Sequence, residues 1–221
     1  MSPQFPASAT QVDQPQPDAA AASVYRAQDM YPLLRCCSCS GSRRLSVNLS
    51  YFDTLLAALQ AHAAVPQHPC ASSEPRQAAL ADYLYLERVL DHLLQIAPAD
   101  AVQLRLRAAQ LALLGSGLRL PRRDQRARTH LETLLAAVPD HPQANLQYGE
   151  LLATRAGQPQ AAVVPLQRAF GKGLDAAARL LGEVFAVLGR PRKARRYLQQ
   201  YLDGRPDDAA ARALLAGLAA G

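Results

Sequence analysis

The feature that most constrains the fold of this chain is an internal repetition between residues 139 and 206. Two consecutive segments each carry a large–small apolar pair within an amphipathic helical pattern, Tyr148-Gly149 and then Leu181-Gly182. The two glycines are 33 residues apart. A short helix pair cannot bury its apolar face alone, so repetition at this period predicts a stack of helix pairs with one continuous core.

Each large–small pair is followed by a glycine and then by an alanine within the next helical pattern. The glycines are Gly157 and Gly189, and the alanines are Ala162 and Ala194. Glycine tolerates a positive φ angle and therefore permits a tight turn between two helices. A small residue on the second helix lets the two helices approach closely. The pattern predicts antiparallel helices joined by short turns.

The pattern resembles the tetratricopeptide repeat. The matching positions are Pro139, Asn145, Tyr148, Gly149, Leu152, Ala162, Leu166 and Ala169 in the first segment, and Leu181, Gly182, Phe185, Ala194, Leu198 and Pro206 in the second. Two departures are an extra residue in the Arg155–Gln158 turn and the lack of a closing proline near Gly173. The resemblance implies an all-α, tetratricopeptide-like right-handed superhelix of antiparallel helix pairs.

A third, degenerate unit lies upstream, where Pro98 and Pro139 are 41 residues apart. The surplus over the usual period lies in the loop GSGLRLPRR, and Arg107 occupies a slot that is usually apolar in the family. The expected inner positions are Leu104, Ala108 and Leu111 in its first helix and Ala127, Leu131 and Leu134 in its second.

We expect three regions along the chain. Residues 1–45 form a disordered tail with a cysteine cluster, because residues 1–22 are rich in Pro, Gln, Ala and Ser and offer nothing to bury. Residues 46–97 form an N-terminal helix pair, read as a degenerate repeat. Residues 98–221 form three tetratricopeptide-like units, the third ending near residue 206, followed by a C-terminal capping helix.

The cysteines allow three interpretations. Cys36 and Cys39 have C-x-x-C spacing, and His68 with Cys70 could complete a four-ligand zinc site. The pair could instead form a disulfide or sense redox state, or the thiols could be incidental. A second C-x-x-C pair is absent from the sequence, and the start of the chain lacks the basic and apolar regions of a secretory signal.

Motifs for catalysis are absent from the sequence. The five histidines are scattered, and no H-E-x-x-H, G-x-S-x-G or P-loop pattern occurs. The formal net charge of +6 weakly favours acidic partners. We interpret the basic run 190–196 as a solvated outer face and expect no nucleic-acid partner. No run approaches 18 apolar residues, so we expect no membrane span and a cytoplasmic protein. The alanine- and arginine-rich composition suggests a bacterial source.

The resemblance implies that the first helix of each pair lines a concave groove. The uncovered positions that we expect there to bind a partner are Arg105, Gln143, Gln147, Glu150, Thr154, Arg179 and Glu183. Ala109 and Ala112 are expected beside Arg105. The lysine–asparagine pair with which related domains clamp an acidic C-terminus is not matched at these positions. Their mixed charge favours a partner with both signs or an amphipathic helix.

The sequence therefore predicts a non-enzymatic protein–protein interaction scaffold, an assembly factor or a secretion-type chaperone. Its partner is expected to be a peptide or helix held in the concave groove, with no cofactor and no metal. The alternative from another class is a cysteine-dependent metal-binding or redox protein supported by a helical repeat.

Overall fold

A computed structural model of the protein describes residues 27–39, 42–64, 73–97 and 101–218. Its helices are α1 (Leu49–Ala64), α2 (Ser73–Ile96), α3 (Val102–Gly117), α4 (Arg123–Ala137), α5 (Pro142–Glu150), α6 (Pro159–Gly171), α7 (Ala176–Val187), α8 (Pro191–Gly204) and α9 (Ala209–Gly217). Consecutive helices pack as the pairs α3/α4, α5/α6 and α7/α8, and each pair packs on the next. None of the helices in these ranges is both long enough and apolar enough to cross a membrane.

The two helices of a pair are in close contact at the repeated glycines. A Cβ atom added to Gly149 would lie 2.5 Å from Cγ of Leu166, and one added to Gly182 would lie 2.5 Å from Cγ of Leu198. Both leucines are fully buried. The large–small pattern therefore creates a slot in the first helix of each pair, which a leucine of the second helix fills.

The turns between the helices of a pair use left-handed backbone. Gly157 has a φ of +62° and Gly189 a φ of +65°, as the sequence predicts. In the α3/α4 pair, Arg119 and Arg122 adopt φ angles of +62° and +59°. In the longer loop of that pair, two arginines rather than glycines therefore adopt the left-handed backbone.

The extra residue of the α5/α6 pair is absorbed inside a helix. Leu151–Arg155, directly after α5, is a π-helical segment in which the amide of Ala156 donates to the carbonyl of Leu151 at 3.0 Å. Gly149 and Gly157 are eight residues apart, whereas Gly182 and Gly189 are seven apart. The insertion therefore lies one turn earlier than the Arg155–Gln158 turn that the sequence suggested, and the turn at Gly157 keeps its geometry.

The expectation of a disordered tail over residues 1–45 is wrong for its C-terminal part. Tyr31–Leu33 forms a 3-10 turn, and strands β1 (Leu34–Cys39) and β2 (Ser42–Val47) pair in antiparallel register, Leu34 opposite Val47. Residues 1–26 lie outside the described residues, and disorder stays a prediction for them.

The physical reason for this order is burial against the α1/α2 pair. Among the described residues it is this segment that covers the apolar face of the pair, since Leu33 is fully buried in the cluster that contains Phe52 and Tyr83. The amide of Gln28 donates to Oδ2 of Asp82 at 2.8 Å and ties the segment to α2. Residues 27–33 therefore cap the N-terminal end of the core.

Arg107, at a repeat position that is usually apolar in the family, joins α3 to α1. Its guanidinium donates from Nε to Oδ1 of Asp53 at 2.8 Å and from Nη2 to Oδ2 at 2.6 Å. The two parallel bonds fix the mutual orientation of the two side chains. This arginine thus holds the N-terminal helix pair α1/α2 against the α3/α4 pair.

We predict that Gly182→Leu destabilises the protein by about 1–3 kcal/mol, because the new side chain must displace Leu198 from its slot. Gly171→Leu is the control, since a Cβ atom at Gly171 meets no heavy atom within 4 Å. Urea denaturation of both variants measures the difference. An unchanged midpoint in Gly182→Leu would show that the slot is not tightly filled.

We predict that Leu33→Ala lowers the free energy of unfolding by about 2–5 kcal/mol, because it leaves a cavity beneath the N-terminal cap. Tyr31→Ala, at an exposed position of the same turn, is the matched control. Removal of residues 1–22 is expected to leave the melting temperature unchanged. Loss of stability on removing that tail, or none in Leu33→Ala, would contradict the assignment of the cap to residues 27–33.

Candidate functional site

A cavity of about 280 Å³ lies where the first helices of successive pairs meet. Its lining comes from α1, α3 and α5 and from the π-helical segment: Gln60, Gln110, Leu113, Leu114, Gln143, Leu146, Gln147, Glu150, Leu151 and Arg155. We call the surface formed by these ten residues the first-helix groove. Three consecutive helix pairs of the stack therefore contribute to one concave site.

Three of the sequence-predicted site residues lie together in this groove. Gln143, Gln147 and Glu150 all line the cavity. Their spacing of four and then three residues puts them on one face of α5. Gln143 is half-buried, Gln147 is buried and Glu150 is exposed. Their part in binding a partner stays a prediction.

Three other predicted residues do not line the cavity. The hydroxyl of Thr154 donates to the carbonyl of Glu150 at 2.8 Å, within its own helical turn. Arg179 and Glu183 form an ion pair with each other along α7. Their place in a binding surface stays a prediction.

Arg105 lies elsewhere, and the register expected for α3 is wrong. Arg105 is close enough to His130 of α4 for its charge to lower the pKa of that imidazole. Ala109 and Ala112, expected to be uncovered, are 0% and 2% exposed and belong to the core. Because the α3/α4 unit is longer than the usual repeat, positions counted from the repeat period are displaced along α3. Each residue of displacement rotates the expected groove face of the helix by about 100°.

The cavity side of α3 is instead formed by Gln110, Leu113 and Leu114. Sequence reasoning also missed Gln60 of α1 and Arg155 of the π-helical segment. Recurrence of glutamine along the first helices of three successive pairs was the available signal, since Gln60, Gln110, Gln143 and Gln147 all reach the groove.

The groove offers hydrogen-bond acceptors that nothing in the described residues satisfies. Gln147 is 8% exposed, and its Oε1 atom is buried without a hydrogen-bond partner there. Glu150 is exposed, and no cation of the described residues lies in ion-pair contact with its carboxylate. A buried acceptor that is left unpaired costs free energy, so the glutamine at this place is not explained by stability.

The guanidinium that lines the cavity is bound to protein groups. Nη1 of Arg155 donates to the carbonyl of Leu113 at 3.3 Å and to Oδ1 of Asp124 at 3.1 Å. These contacts tie the π-helical segment to α3 and α4. The positive charge of Arg155 is therefore already compensated by a carboxylate of its own chain.

The cysteine cluster lies on the β1/β2 ribbon. Cys36 and Cys39 are three positions apart in β1, where Cys36 pairs with Leu45 and Cys39 with Ser42 of β2. The three interpretations of the cysteines stay predictions. His68 and Cys70 lie outside the described residues.

Comparison with solved structures identifies similar folds. A crystal structure of the protein MamA is 19% identical, and the alignment covers 65% of this chain and 75% of that chain with a TM-score of 0.56. A thermophilic TPR protein from Thermus thermophilus, TTC0263, is 18% identical, with 78% and 93% covered and a TM-score of 0.51. No protein-family model and no curated protein matches the sequence. The expected all-α tetratricopeptide-like superhelix is thereby confirmed as the fold.

We predict a pH dependence of stability from His130 of α4. Burial, followed by the positive charge of Arg126, lowers its pKa from 6.5 to about 4, while Asp91 opposes the shift. The unfolded chain thus binds a proton that the folded protein resists, and stability is lost as pH falls from about 6.5 to about 4. The loss is on the order of 1–3 kcal/mol.

Urea denaturation at pH 7 and at pH 4.5 measures this loss in the wild type and in His130→Gln. The variant is expected to lose less stability between the two pH values, because its amide does not titrate. His92→Gln, at an exposed position on α2, is the control and is expected to behave as the wild type. Equal losses in wild type and His130→Gln would contradict the assignment.

Proposed function

We propose that this protein is a non-enzymatic interaction scaffold that holds a peptide or helix of a protein partner in the first-helix groove. The observation that carries the proposal is the cavity to which α1, α3 and α5 all contribute. Side chains from separate helices converge there on one volume, as recognition of one ligand requires.

The outer face of the stack supports the proposal by contrast. Arg192, Arg195 and Arg196 of α8 are exposed. They lie on the second helix of the last regular pair, away from the groove-lining residues. Exposed side chains on such a face diverge into solvent, so they are poorly placed to surround a single ligand.

The composition of the groove favours a protein segment over a charged small molecule. Its lining is mostly amide and leucine side chains, with Glu150 and the already paired Arg155. Amide side chains can donate and accept hydrogen bonds, as the backbone of a bound segment also does. The lysine–asparagine pair with which related domains clamp a terminal carboxylate is missing from this lining, so an acidic C-terminus is not the expected partner.

The same groove would serve an assembly factor or a secretion-type chaperone, since both hold a segment of another protein. We extend the proposed surface to Arg179 and Glu183 of α7. This helix is the first helix of the pair that follows α5/α6 in the stack. Their mutual ion pair presents both signs of charge toward a partner.

We predict that a pull-down from native extract retains a protein partner, and that substitutions in the groove abolish its retention. Gln143→Arg with Glu150→Arg changes the cavity itself, and Arg179→Glu with Glu183→Arg changes its proposed extension. Arg192→Glu with Arg195→Glu on the outer face is the control and is expected to leave retention unchanged. Mass spectrometry identifies what is retained.

Circular dichroism of each variant shows first that the helices are intact. If the outer-face variant loses the partner while the groove variants keep it, the binding surface is the basic face and the proposal is wrong. Retention of nucleic acid in place of protein would overturn it equally.

A further inference from the structure

We infer that exposed residues around α6 and α8 dock the protein on the surface of a bilayer that contains anionic phospholipids. We call the outer basic face the surface formed by Val164, Arg168, Val187, Arg190, Arg192, Lys193, Arg195 and Arg196. The inference goes beyond the proposed function and does not depend on it, because the residues that line the first-helix groove come from other helices.

The outer basic face is dominated by the run 190–196, which carries five cations in seven residues, all of them exposed. Arg192 lies three and four residues before Arg195 and Arg196, so these guanidinium groups share one face of α8. Like charges at this spacing repel each other and destabilise a helix. The stability of α8 therefore does not explain the cluster.

The arginines of α4, the second helix of an earlier pair, are by contrast compensated. Arg123 pairs with Glu87, Arg126 with Asp91, and Arg128 with Glu132. No cation of the run 190–196 forms an ion pair with a carboxylate in the part of the chain that the structure describes. The positive charge of this run is left for an external anion.

The basic surface extends to α6, which lies beside α8. The rings of Phe170 and Tyr197 meet edge to face with their centroids 5.6 Å apart. Helix α6 contains no acidic residue, and its exposed Arg168 has no ion pair within the described ranges. Asp203, in the last turn of α8, is the acidic residue of the two helices. Two successive second helices therefore present a surface of largely uncompensated positive charge.

Two exposed valines favour a bilayer over other polyanions. Val187, at the end of α7, is 75% exposed and lies three residues before Arg190. Val164 is 54% exposed and lies one turn before Arg168 on α6. Apolar side chains beside basic ones suit the headgroup region of a membrane, which offers both anionic groups and an apolar layer. A nucleic-acid backbone offers phosphates but no apolar layer for these valines.

The aromatic rings of α8 also argue against single-stranded nucleic acid, whose bases need a free ring on which to stack. The ring of Tyr197 is stacked on Phe185 and meets Phe170 edge to face. Tyr201 is 7% exposed, and its hydroxyl donates to Oδ2 of Asp208 at 2.9 Å. Both tyrosines of α8 are therefore engaged by groups of their own chain.

The divergence of the side chains, which makes the outer basic face unsuited to enclose one ligand, suits a flat surface. Side chains that point outward from neighbouring helices can each reach a different lipid headgroup. Each lysine or arginine near an anionic membrane adds to the attraction, and a cluster of about four to eight is typical of helices that bind acidic lipids.

The test is cosedimentation of the full-length protein with vesicles of phosphatidylcholine that contain about 30% phosphatidylglycerol. We expect binding to these vesicles and none to vesicles of phosphatidylcholine alone. Raising the salt concentration from about 0.1 M to about 1 M shortens the Debye length from about 10 Å to about 3 Å and is expected to release the protein. Equal binding to both kinds of vesicle, or binding to neither, would overturn the inference.

Arg192→Glu with Arg195→Glu is expected to weaken binding to the anionic vesicles by about 10-fold or more, because it reverses two of the contacting charges. Arg76→Glu with Arg88→Glu is the matched control, since it changes the net charge equally at two exposed positions of α2. Equal weakening by the two double variants would mean that net charge, and not the outer basic face, determines binding.

The contact of Val187 with the bilayer can be followed by fluorescence. The sequence contains no tryptophan, so Val187→Trp introduces a single probe. Its emission is expected to shift to shorter wavelength on binding to the anionic vesicles, because the indole enters the interfacial layer. Tyr31→Trp, at an exposed position of the N-terminal cap, is expected to show no shift. Unshifted emission from bound Val187→Trp would contradict the docking geometry.

Two soluble polyanions, duplex DNA and inorganic polyphosphate, are measured in parallel. Binding of either through Arg192 and Arg195, without binding of vesicles, would overturn the inference. Gln143→Arg with Glu150→Arg is expected to leave vesicle binding unchanged. Failure of the vesicle experiment would therefore leave the groove proposal standing, and failure of the groove variants in the pull-down would leave the bilayer inference standing.

Discussion

The close approach of two helices at a glycine is the interaction on which the rest of the structure depends. Leu166 and Leu198 fill slots at Gly149 and Gly182 that any side chain would close. This contact fixes the distance between the helices of a pair, and the pair can then present a continuous apolar face to its neighbour. Because the slots recur at the same helical position, the first helices align along one side of the stack. The cavity lies at the α5 end of this alignment, where α1 and α3 also contribute to its lining.

The π-helical segment shows how the stack tolerates an extra residue without losing this alignment. One inserted residue in an α-helix rotates everything after it by about 100°. Here the wide turn at Leu151–Arg155 absorbs the insertion between Gly149 and Gly157, so both glycines keep their roles. The wide turn also brings Arg155 to the carbonyl of Leu113 and to Asp124. The change in the backbone thus lets the guanidinium of Arg155, which lines the cavity, bind to groups of its own chain.

The repeats could be predicted from the sequence because their signal is local, whereas the ends and the insertion could not. The spacing of Gly149 and Gly182 defines the helix pairs without knowledge of distant contacts. The face of α3 was misassigned, because the long GSGLRLPRR loop breaks the period from which the groove positions were counted. The cap was missed because burial of Leu33 depends on α1 and α2, far along the chain. The sequence signal for the β1/β2 hairpin was a Ser-Gly pair between the two short segments that form the strands, and this signal is weak.

Repetition fixes the backbone, so the selectivity of a solenoid has to come from positions at which its repeats differ. Gln147 and Leu180 occupy equivalent buried places, and Glu150 and Glu183 occupy equivalent places at the surface. A buried amide oxygen without a partner costs about 1–3 kcal/mol, whereas a leucine at the same place of α7 carries no such cost. Stability alone therefore does not explain a glutamine in α5. Both residues of α5 line the same cavity, and local destabilisation of this kind is typical of a surface kept for binding.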